Sequence, residues 1–198
     1  MKVSGARQKE DLKQEIMDAA SELFISEGYA NTSMRRIANK IGYSPTTIYL
    51  YFRDKADLLN QICEGTFAKL TRNIVAINQL SGDPLDKLRL GMKEYVLFGL
   101  AHPAHYQIVF GTKFLSDDVR SDDFSEGTKA FDTLRHAISA CVSAKLLKTN
   151  DVELLSQTLW AGIHGVTSLL NNQPNFPWKA RETVIDSVLD TLISGVRA

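Results

Sequence analysis

Residues 33–55 read SMRRIANKIGYSPTTIYLYFRDK, a segment in which apolar residues recur at helical spacing between polar and basic ones. Ser33 precedes one apolar run and Ser44-Pro45 opens the next, because serine is a preferred helix N-cap and proline suits the first helical position. Gly42 lies between the two runs, where we expect a tight turn. Two short helices joined by such a turn form a helix-turn-helix unit, whose second helix can enter the DNA major groove.

The residue types in this segment separate into an inward and an outward set. The apolar residues expected to face inward are Ile37, Ala38, Ile41, Ile48 and Phe52. The residues expected to face outward are Ser33, Arg35, Arg36, Lys40, Ser44, Thr46, Thr47, Tyr49, Tyr51, Arg53 and Lys55. Hydroxyls and phenols interleaved with cations suit a phosphate backbone. Arg35 could bind a guanine edge and the Thr46 methyl a thymine methyl. The alternative is a solvated basic face beside a capped turn.

Positive charge is concentrated in residues 33–55. The chain of 198 residues has 23 Lys and Arg against 23 Asp and Glu, a formal net charge of zero. Residues 33–55 hold five basic residues and one acidic residue, a net charge of +4, whereas residues 61–198 hold 14 basic against 15 acidic ones. A net charge of zero therefore does not exclude a nucleic-acid partner; it predicts that binding is confined to one surface.

The first 60 residues resemble the tetracycline-repressor (TetR) family in three runs. These runs are Ile16-x-x-Ala19-Ala20-x-x-Leu23-Phe24-x-x-x-Gly28-Tyr29, Thr32-Ser33-Met34-Arg35-x-Ile37-Ala38-x-x-Ile41-Gly42-x-Ser44 and Thr47-Ile48-Tyr49-x-Tyr51-Phe52-x-x-Lys55-x-x-Leu58. The resemblance implies a homodimeric, ligand-responsive transcriptional regulator, usually a repressor, that binds double-stranded DNA at a near-palindromic operator.

The resemblance also implies roles for individual residues. Phosphate contacts fall on Ser33, Tyr49, Tyr51 and Lys55, and contacts with the bases fall on Arg35, Pro45, Thr46 and Thr47. Two positions depart from the family pattern: Tyr43 stands where a small aliphatic residue is usual, and Arg36 stands where an acid is common. Arg36 could add a phosphate contact.

The remainder of the chain continues at helical period, so we predict an all-α protein of about nine helices. A three-helix DNA-binding domain is expected at residues 1–60 and a larger ligand-binding and dimerisation domain at residues 61–198. The predicted helices beyond the helix-turn-helix unit cover about 54–80, 84–100, 103–114, 124–147, 151–170 and 178–196. The acidic stretch at 116–123 is expected to be a loop or a frayed helix start.

The last two predicted helices are apolar on more than one face, so each must be buried on more than one side. Pairing with an identical subunit through these two helices would achieve this burial. Burial inside a single subunit is the alternative.

The segment Leu159-Trp160-Ala161-Gly162-Ile163-His164-Gly165 resembles the Trp…His-Gly (WHG) motif of one subgroup of TetR-family C-terminal domains, and Pro103-Ala104-His105-Tyr106-x-x-x-Phe110 fits the same subgroup. Trp160 and His164 are four residues apart on one helix face and can touch. His164 is either a core histidine with a satisfied hydrogen bond or a contact with an effector.

A small-molecule effector of unknown identity is expected among aromatic side chains of the C-terminal part, since such sites combine aromatic walls with a few polar groups. The residues proposed for it are Tyr95, Phe98, Tyr106, Phe110, Phe131, Trp160 and His164. The alternative for each residue, and the more common one for an aromatic side chain at helical spacing, is a place in the hydrophobic core. His102 and His105 with Asp117 and Asp118 are a conceivable metal site, but four histidines without a Cys/His cluster predict no metal and no cofactor.

Several classes of function are excluded. There is no phosphate-cradling glycine loop, nucleophile elbow or zincin motif, so we predict that the protein is not an enzyme. Cys63 and Cys141 lie in apolar helical patterns and are expected to be buried thiols. Without a signal-peptide pattern or an apolar run of membrane-spanning length, the chain is expected in the cytoplasm. Two other classes remain open: a DNA-binding regulator without a small-molecule inducer, and a helical protein-interaction module.

Overall fold

The computed structural model describes residues 3–110 and 125–198, and within these ranges the chain forms nine α-helices and no strand. One isolated antiparallel bridge pairs Leu147 with Arg197. The helices are α1 (Val3–Glu27), α2 (Met34–Lys40), α3 (Pro45–Tyr49), α4 (Lys55–Asn78), α5 (Pro84–Ala101), α6 (Pro103–Phe110), α7 (Ser125–Ser143), α8 (Val152–Asn172) and α9 (Arg181–Val196). The predicted all-α class is confirmed.

The described residues divide into two compact units, and α4 contributes to both. The first unit holds residues 3–66 with 104–110, and the second holds residues 67–103 with 125–198. The predicted boundary at residue 60, between a DNA-binding and a ligand-binding domain, remains a prediction. The division between the two compact units falls within α4, between residues 66 and 67, and the first unit also includes most of α6.

The core of the first unit is an apolar cluster to which α1, α2, α3, α4 and α6 all contribute. Phe24 of α1, Ile48 of α3 and Ile62 of α4 are fully buried in it. Gly28 ends α1: its φ of +88° lies in the left-handed region, and its N–H donates to the carbonyl oxygen of Phe24 at 3.0 Å. The cluster thus fixes the two short helices against the longer α1 and α4.

The second unit packs α5, α7, α8 and α9 together. Its fully buried side chains include Met92 of α5, Ile138 of α7 and Leu159 of α8. Helices α8 and α9 approach closely at Gly162, where a Cβ atom would lie 2.6 Å from Cδ1 of Leu192. A side chain at this position would therefore displace Leu192.

Two predicted helix ends are wrong. Helix α7 ends at Ser143 and does not reach Leu147, because Lys145 adopts a φ of 58° and the N–H of Leu146 turns back to the carbonyl oxygen of Cys141 at 3.0 Å. Helix α9 begins at Arg181 and leaves Trp178 in the preceding loop, where its N–H donates to Phe176. The acidic stretch at 116–123 and the predicted end of α6 near residue 114 lie outside the described residues.

Within the described ranges, no helix combines the length and the apolar character needed to cross a membrane. Cys63 and Cys141 are both buried free thiols, as predicted. Burial raises the pKa of Cys63 to about 12 and that of Cys141 to about 11, which keeps both thiols protonated and unreactive.

Candidate nucleic-acid interface and effector site

Helices α2 and α3 begin at the two predicted serine caps. The Ser33 hydroxyl accepts the N–H of Arg36 at 3.2 Å, and the Ser44 hydroxyl accepts the N–H of Thr47 at the same distance. The hydroxyls of Ser44 and Thr47 are also 2.9 Å apart. Gly42 supplies a φ of +74° in the turn between the helices. These local bonds hold the helix-turn-helix unit in place, and they engage three hydroxyls that the sequence assigns to DNA, those of Ser33, Ser44 and Thr47.

The predicted inward set is buried with one exception. Ile37, Ala38, Ile48 and Phe52 are almost completely inaccessible, whereas Ile41 is only half-buried at the edge of the core. The hydrophobic pattern of residues 33–55 therefore predicts correctly which side of the unit faces the protein.

Five exposed residues of α2, α3 and the C-cap of α3 are called the α2–α3 face: Arg35, Arg36, Thr46, Tyr49 and Leu50. Leu50 lies outside the predicted outward set, and Ser33, Lys40, Ser44 and Arg53 of that set are exposed as well. Tyr49 is 54% exposed and Leu50 is 74% exposed.

Other residues of the predicted DNA-binding set are less accessible. Pro45, Thr47 and Lys55 are half-buried. Tyr51 is also half-buried, because it packs against the core cluster of the first unit. Their contacts with DNA remain predictions.

The cations of residues 33–55 differ in their partners. Arg36 pairs with Glu27 at 2.5 Å and Lys40 with Glu22 at 2.9 Å, so α2 is bound to α1 by two ion pairs. Arg35 forms no ion pair within the part of the chain that the structure describes. Arg36 would have to break an ion pair before binding DNA, whereas Arg35 would not.

Lys55 lies at the start of α4 and faces the loop between α1 and α2. Its Nζ donates to the carbonyl oxygens of Tyr29 at 2.6 Å and Thr32 at 2.9 Å, and it lies 4.2 Å from the centre of the Tyr29 ring. Thr32 is buried and donates in turn to the carbonyl oxygen of Gly28 at 3.0 Å. Lys55 thus ties α4 to the loop from which α2 starts.

Leu50 belongs to the α2–α3 face but was not among the residues assigned to DNA by the sequence. The sequence does contain a signal for it: Leu50 lies midway between Ile48 and Phe52, which face inward, and helical spacing therefore turns it outward. At helical spacing this position places a large apolar side chain on the side of α3 away from Ile48.

In the second unit, three of the predicted effector residues meet in one hydrogen-bonded cluster between α5 and α8. Trp160 Nε1 donates to the Tyr95 hydroxyl at 3.3 Å, and that hydroxyl lies 3.1 Å from Nδ1 of His164. The Phe131 ring meets Trp160 edge-on, with centroids 5.9 Å apart. Burial lowers the pKa of His164, which favours the neutral imidazole.

The remaining predicted effector residues do not all belong to this unit. Phe98 is buried in the second unit and its ring lies 4.8 Å from that of His102, whose pKa is lowered by burial and by the charge of Lys69. The rings of Tyr106 and Phe110 lie in the first unit with their centroids 4.8 Å apart and their planes tilted by 51°. The His102–His105 prediction involves Asp117 and Asp118, which lie outside the described residues; the described residues contain no cluster of ligating side chains that could hold a metal ion.

An all-α chain with a capped helix-turn-helix unit and an exposed basic face is a helix-turn-helix DNA-binding protein. The family comparison gives the same class. Residues 16–62 match the family model described as "Bacterial regulatory proteins, tetR family", and residues 88–194 match "Tetracyclin repressor-like, C-terminal domain". The chain therefore belongs to the TetR family of DNA-binding transcriptional regulators, which are not enzymes. The Trp…His-Gly subgroup remains a prediction.

Similar proteins include regulators named for fatty acid metabolism. The fatty acid metabolism regulator protein of Bacillus subtilis is 24% identical over 194 residues, which is 96% of this chain and 98% of that protein. The regulator AcrR of Shigella flexneri is 34% identical over 86 residues, 42% of this chain and 39% of its own length.

Solved structures share the fold. PfmR of Thermus thermophilus, a TetR-family regulator, superposes with a TM-score of 0.76 at 22% identity and covers 90% of this chain and 97% of its own. The fatty acid degradation regulator FadR of Bacillus halodurans gives a TM-score of 0.76 at 18% identity, over 92% of this chain and 95% of its own.

Proposed function

We propose that this protein is a homodimeric repressor that leaves a near-palindromic operator when a small molecule binds in its second compact unit. The observation that carries the proposal is the α2–α3 face, where an arginine without an ion-pair partner among the described residues stands beside exposed hydroxyl and apolar side chains. Cations and hydroxyls suit the phosphate backbone, and the same helices present groups that read base edges.

Dimerisation through α8 and α9 is supported by the exposed side of α8. Leu154 is 56% exposed and Leu169 is 51% exposed, and they lie with Ala161 on one stripe of the helix. These two leucines and the small alanine between them form an exposed apolar surface along α8 that the same helix pair of a second subunit could cover. A two-fold dimer would place two helix-turn-helix units on half-sites roughly 34–36 Å apart, or somewhat more.

The effector site is proposed among Tyr95, Phe98, Phe131, Trp160 and His164. Aromatic walls with a few convergent polar groups are typical of small-molecule sites. Trp160 is 36% exposed although its indole N–H is bonded to Tyr95, so part of this cluster is accessible. Tyr106 and Phe110 belong to the first unit, and their role in ligand binding remains a prediction.

Two relatives are named as regulators of fatty acid metabolism or degradation, and the Bacillus subtilis one matches almost the whole chain. Genes of fatty acid metabolism are therefore the first targets to test.

Gel-shift titration of the full chain on the DNA upstream of its own gene tests the DNA-binding part of the proposal. Arg35→Ala should relax the choice of base at one step of each half-site, and Lys179→Ala, which removes one exposed cation of the second unit, should change nothing. Equal weakening of all sequences by Arg35→Ala would contradict the assignment of Arg35 to the bases.

The induction part is tested by adding small molecules to the preformed protein–DNA complex. An inducer must lower operator affinity by the same factor by which the operator lowers inducer affinity, and each tenfold change needs about 1.4 kcal/mol of differential binding. A compound that binds the second unit tightly and leaves operator affinity unchanged is not an inducer. If no compound releases the DNA, the protein acts as a regulator without a small-molecule inducer.

A further inference from the structure

We propose that Leu50 is a specificity-determining residue that reads the C5-methyl group of a thymine in the operator. The inference rests on the proposed DNA binding by the α2–α3 face and is independent of the proposed effector. Leu50 is 74% exposed, the largest exposed fraction of any large hydrophobic side chain among the described residues. A leucine this exposed leaves apolar surface in water that a contact with another apolar group would remove.

The position of Leu50 on α3 directs it away from the core. Leu50 is the C-cap of α3 but keeps helical dihedral angles, φ −71° and ψ −19°, so the helical spacing extends to it. At about 100° per residue, Thr46 and Leu50 lie about 40° apart and flank the direction opposite the buried Ile48. When α3 lies in the major groove with Ile48 towards the protein, Thr46 and Leu50 are the two side chains that point most directly at the bases.

The chemistry of the major groove identifies the group that Leu50 contacts. A leucine side chain has no donor or acceptor, so it cannot read a hydrogen-bonding edge. The only apolar group that a base pair presents in the major groove is the thymine methyl. Thr46, its neighbour on the same face, also carries a methyl group, and the two residues can read different thymines of one half-site.

The first experiment compares the sites that three forms of the full chain select from a random DNA library. These forms are the natural chain, Leu50→Ala, and Leu80→Ala as a control, because Leu80 is 53% exposed but belongs to the second unit, just after α4. We expect the natural chain and Leu80→Ala to select the same sequence, and Leu50→Ala to lose its preference for thymine at one position of each half-site.

The second experiment replaces that thymine by deoxyuridine, which keeps the base pair and removes only the methyl group. The natural chain should bind about fourfold less tightly for each replaced thymine that Leu50 contacts, because a buried methyl group contributes about 0.8 kcal/mol and each tenfold is about 1.4 kcal/mol. Leu50→Ala should bind the two DNAs equally. Thr46→Ser, which removes the other methyl group of the α2–α3 face, should keep the full sensitivity to this replacement.

Four results would overturn the proposal. Leu50→Ala could select the same sequence as the natural chain, or lose affinity equally for every sequence. Alternatively, Thr46→Ser rather than Leu50→Ala could abolish the sensitivity to deoxyuridine, which would assign the methyl to Thr46. Selection of no sequence by the natural chain would contradict sequence-specific DNA binding as well. Thermal unfolding of each variant confirms that the change acts on a folded protein.

Discussion

At the scale of single residues, the cations of residues 33–55 are in different environments although the sequence groups them together. Arg36 and Lys40 are paired with carboxylates of α1, while the Lys55 ammonium donates to two backbone carbonyl oxygens. An ion pair must open before its cation can bind a phosphate, which offsets part of the gain. Their contributions to DNA binding should therefore be unequal.

Lys55→Ala separates a role in positioning from a phosphate contact. The two hydrogen bonds from the ammonium are charge-assisted, so we expect the free energy of unfolding to fall by about 2 kcal/mol. DNA affinity should fall for all sequences, because α2 loses its support. The slope of log affinity against log salt should stay unchanged, whereas loss of a phosphate contact would reduce it by about 0.9.

Arg53→Ala is the control for Lys55→Ala. It also removes one cation, but the Arg53 side chain is 86% exposed and lies 3.6 Å from Asp57, so the free energy of unfolding should hardly change. Chemical denaturation and salt-dependent gel shifts measure both quantities. A reduced salt slope with unchanged stability for Lys55→Ala would assign the residue to a phosphate.

At the scale of secondary-structure elements, the features that could be predicted are those with local signals. Ser33, Ser44 and Gly42 mark the caps and turn of the helix-turn-helix unit, and Asp54 caps α4 by accepting the N–H of Asp57 at 2.8 Å. Serine, aspartate and glycine mark such positions because their side chains, or the lack of one, act within a few residues.

The features that could not be predicted depend on contacts distant in sequence or on an unusual conformation. The Lys55 side chain meets carbonyl oxygens 23 and 26 residues earlier in the chain, and no spacing rule connects them. Helix α7 ends early because Lys145, not a glycine, adopts the left-handed conformation. Tyr51 belongs to the predicted outward set, but it is half-buried and packs against the core of the first unit.

The close approach of α8 and α9 gives a prediction at this scale. Alanine in place of a glycine inside a helix normally stabilises it by about 1 kcal/mol. At Gly162 the new Cβ would lie 2.6 to 3.2 Å from three carbon atoms of Leu192, so Gly162→Ala should instead destabilise the protein by about 1 kcal/mol.

Gly91→Ala is the matched control for this change. Gly91 is also a helical glycine of the second unit, in α5, and its Cβ would meet Ile74 at an ordinary 3.6 Å. We expect Gly91→Ala to be neutral or stabilising in the same denaturant titration. Equal effects of the two substitutions would mean that Leu192 moves aside without cost.

At the scale of the whole molecule, the proposed dimer predicts which exposed apolar stripe is covered. Leu169→Asp on α8 should convert the protein into a monomer, because a carboxylate would be buried without a partner in the interface. Leu97→Asp on α5, where the leucine is 42% exposed, is the control and should leave a dimer. Sedimentation analysis measures the mass; a monomer from Leu97→Asp alone would place the interface on α5.

The charge distribution over the molecule leads to a last prediction, on the salt dependence of DNA binding. With about eight phosphate contacts per dimer, affinity should fall roughly 10⁴-fold between 50 and 200 mM salt. Part of the +4 charge of residues 33–55 is neutralised within the subunit, since Glu27 holds Arg36 at 2.5 Å. Glu27→Gln should therefore tighten DNA binding and steepen the salt slope by about 0.9 for each Arg36 that gains a phosphate contact.

Glu182→Gln makes the same change in charge in the first turn of α9, in the second unit, and serves as the control. It should leave the salt slope unaltered, because Glu182 forms no ion pair with a cation of residues 33–55 and its loss frees none of them. If Glu27→Gln and Glu182→Gln increase affinity equally, the effect comes from net charge alone. If Glu27→Gln weakens binding instead, the Arg36–Glu27 pair serves to hold α2 in position, and the number of phosphate contacts is set by the other residues of the α2–α3 face.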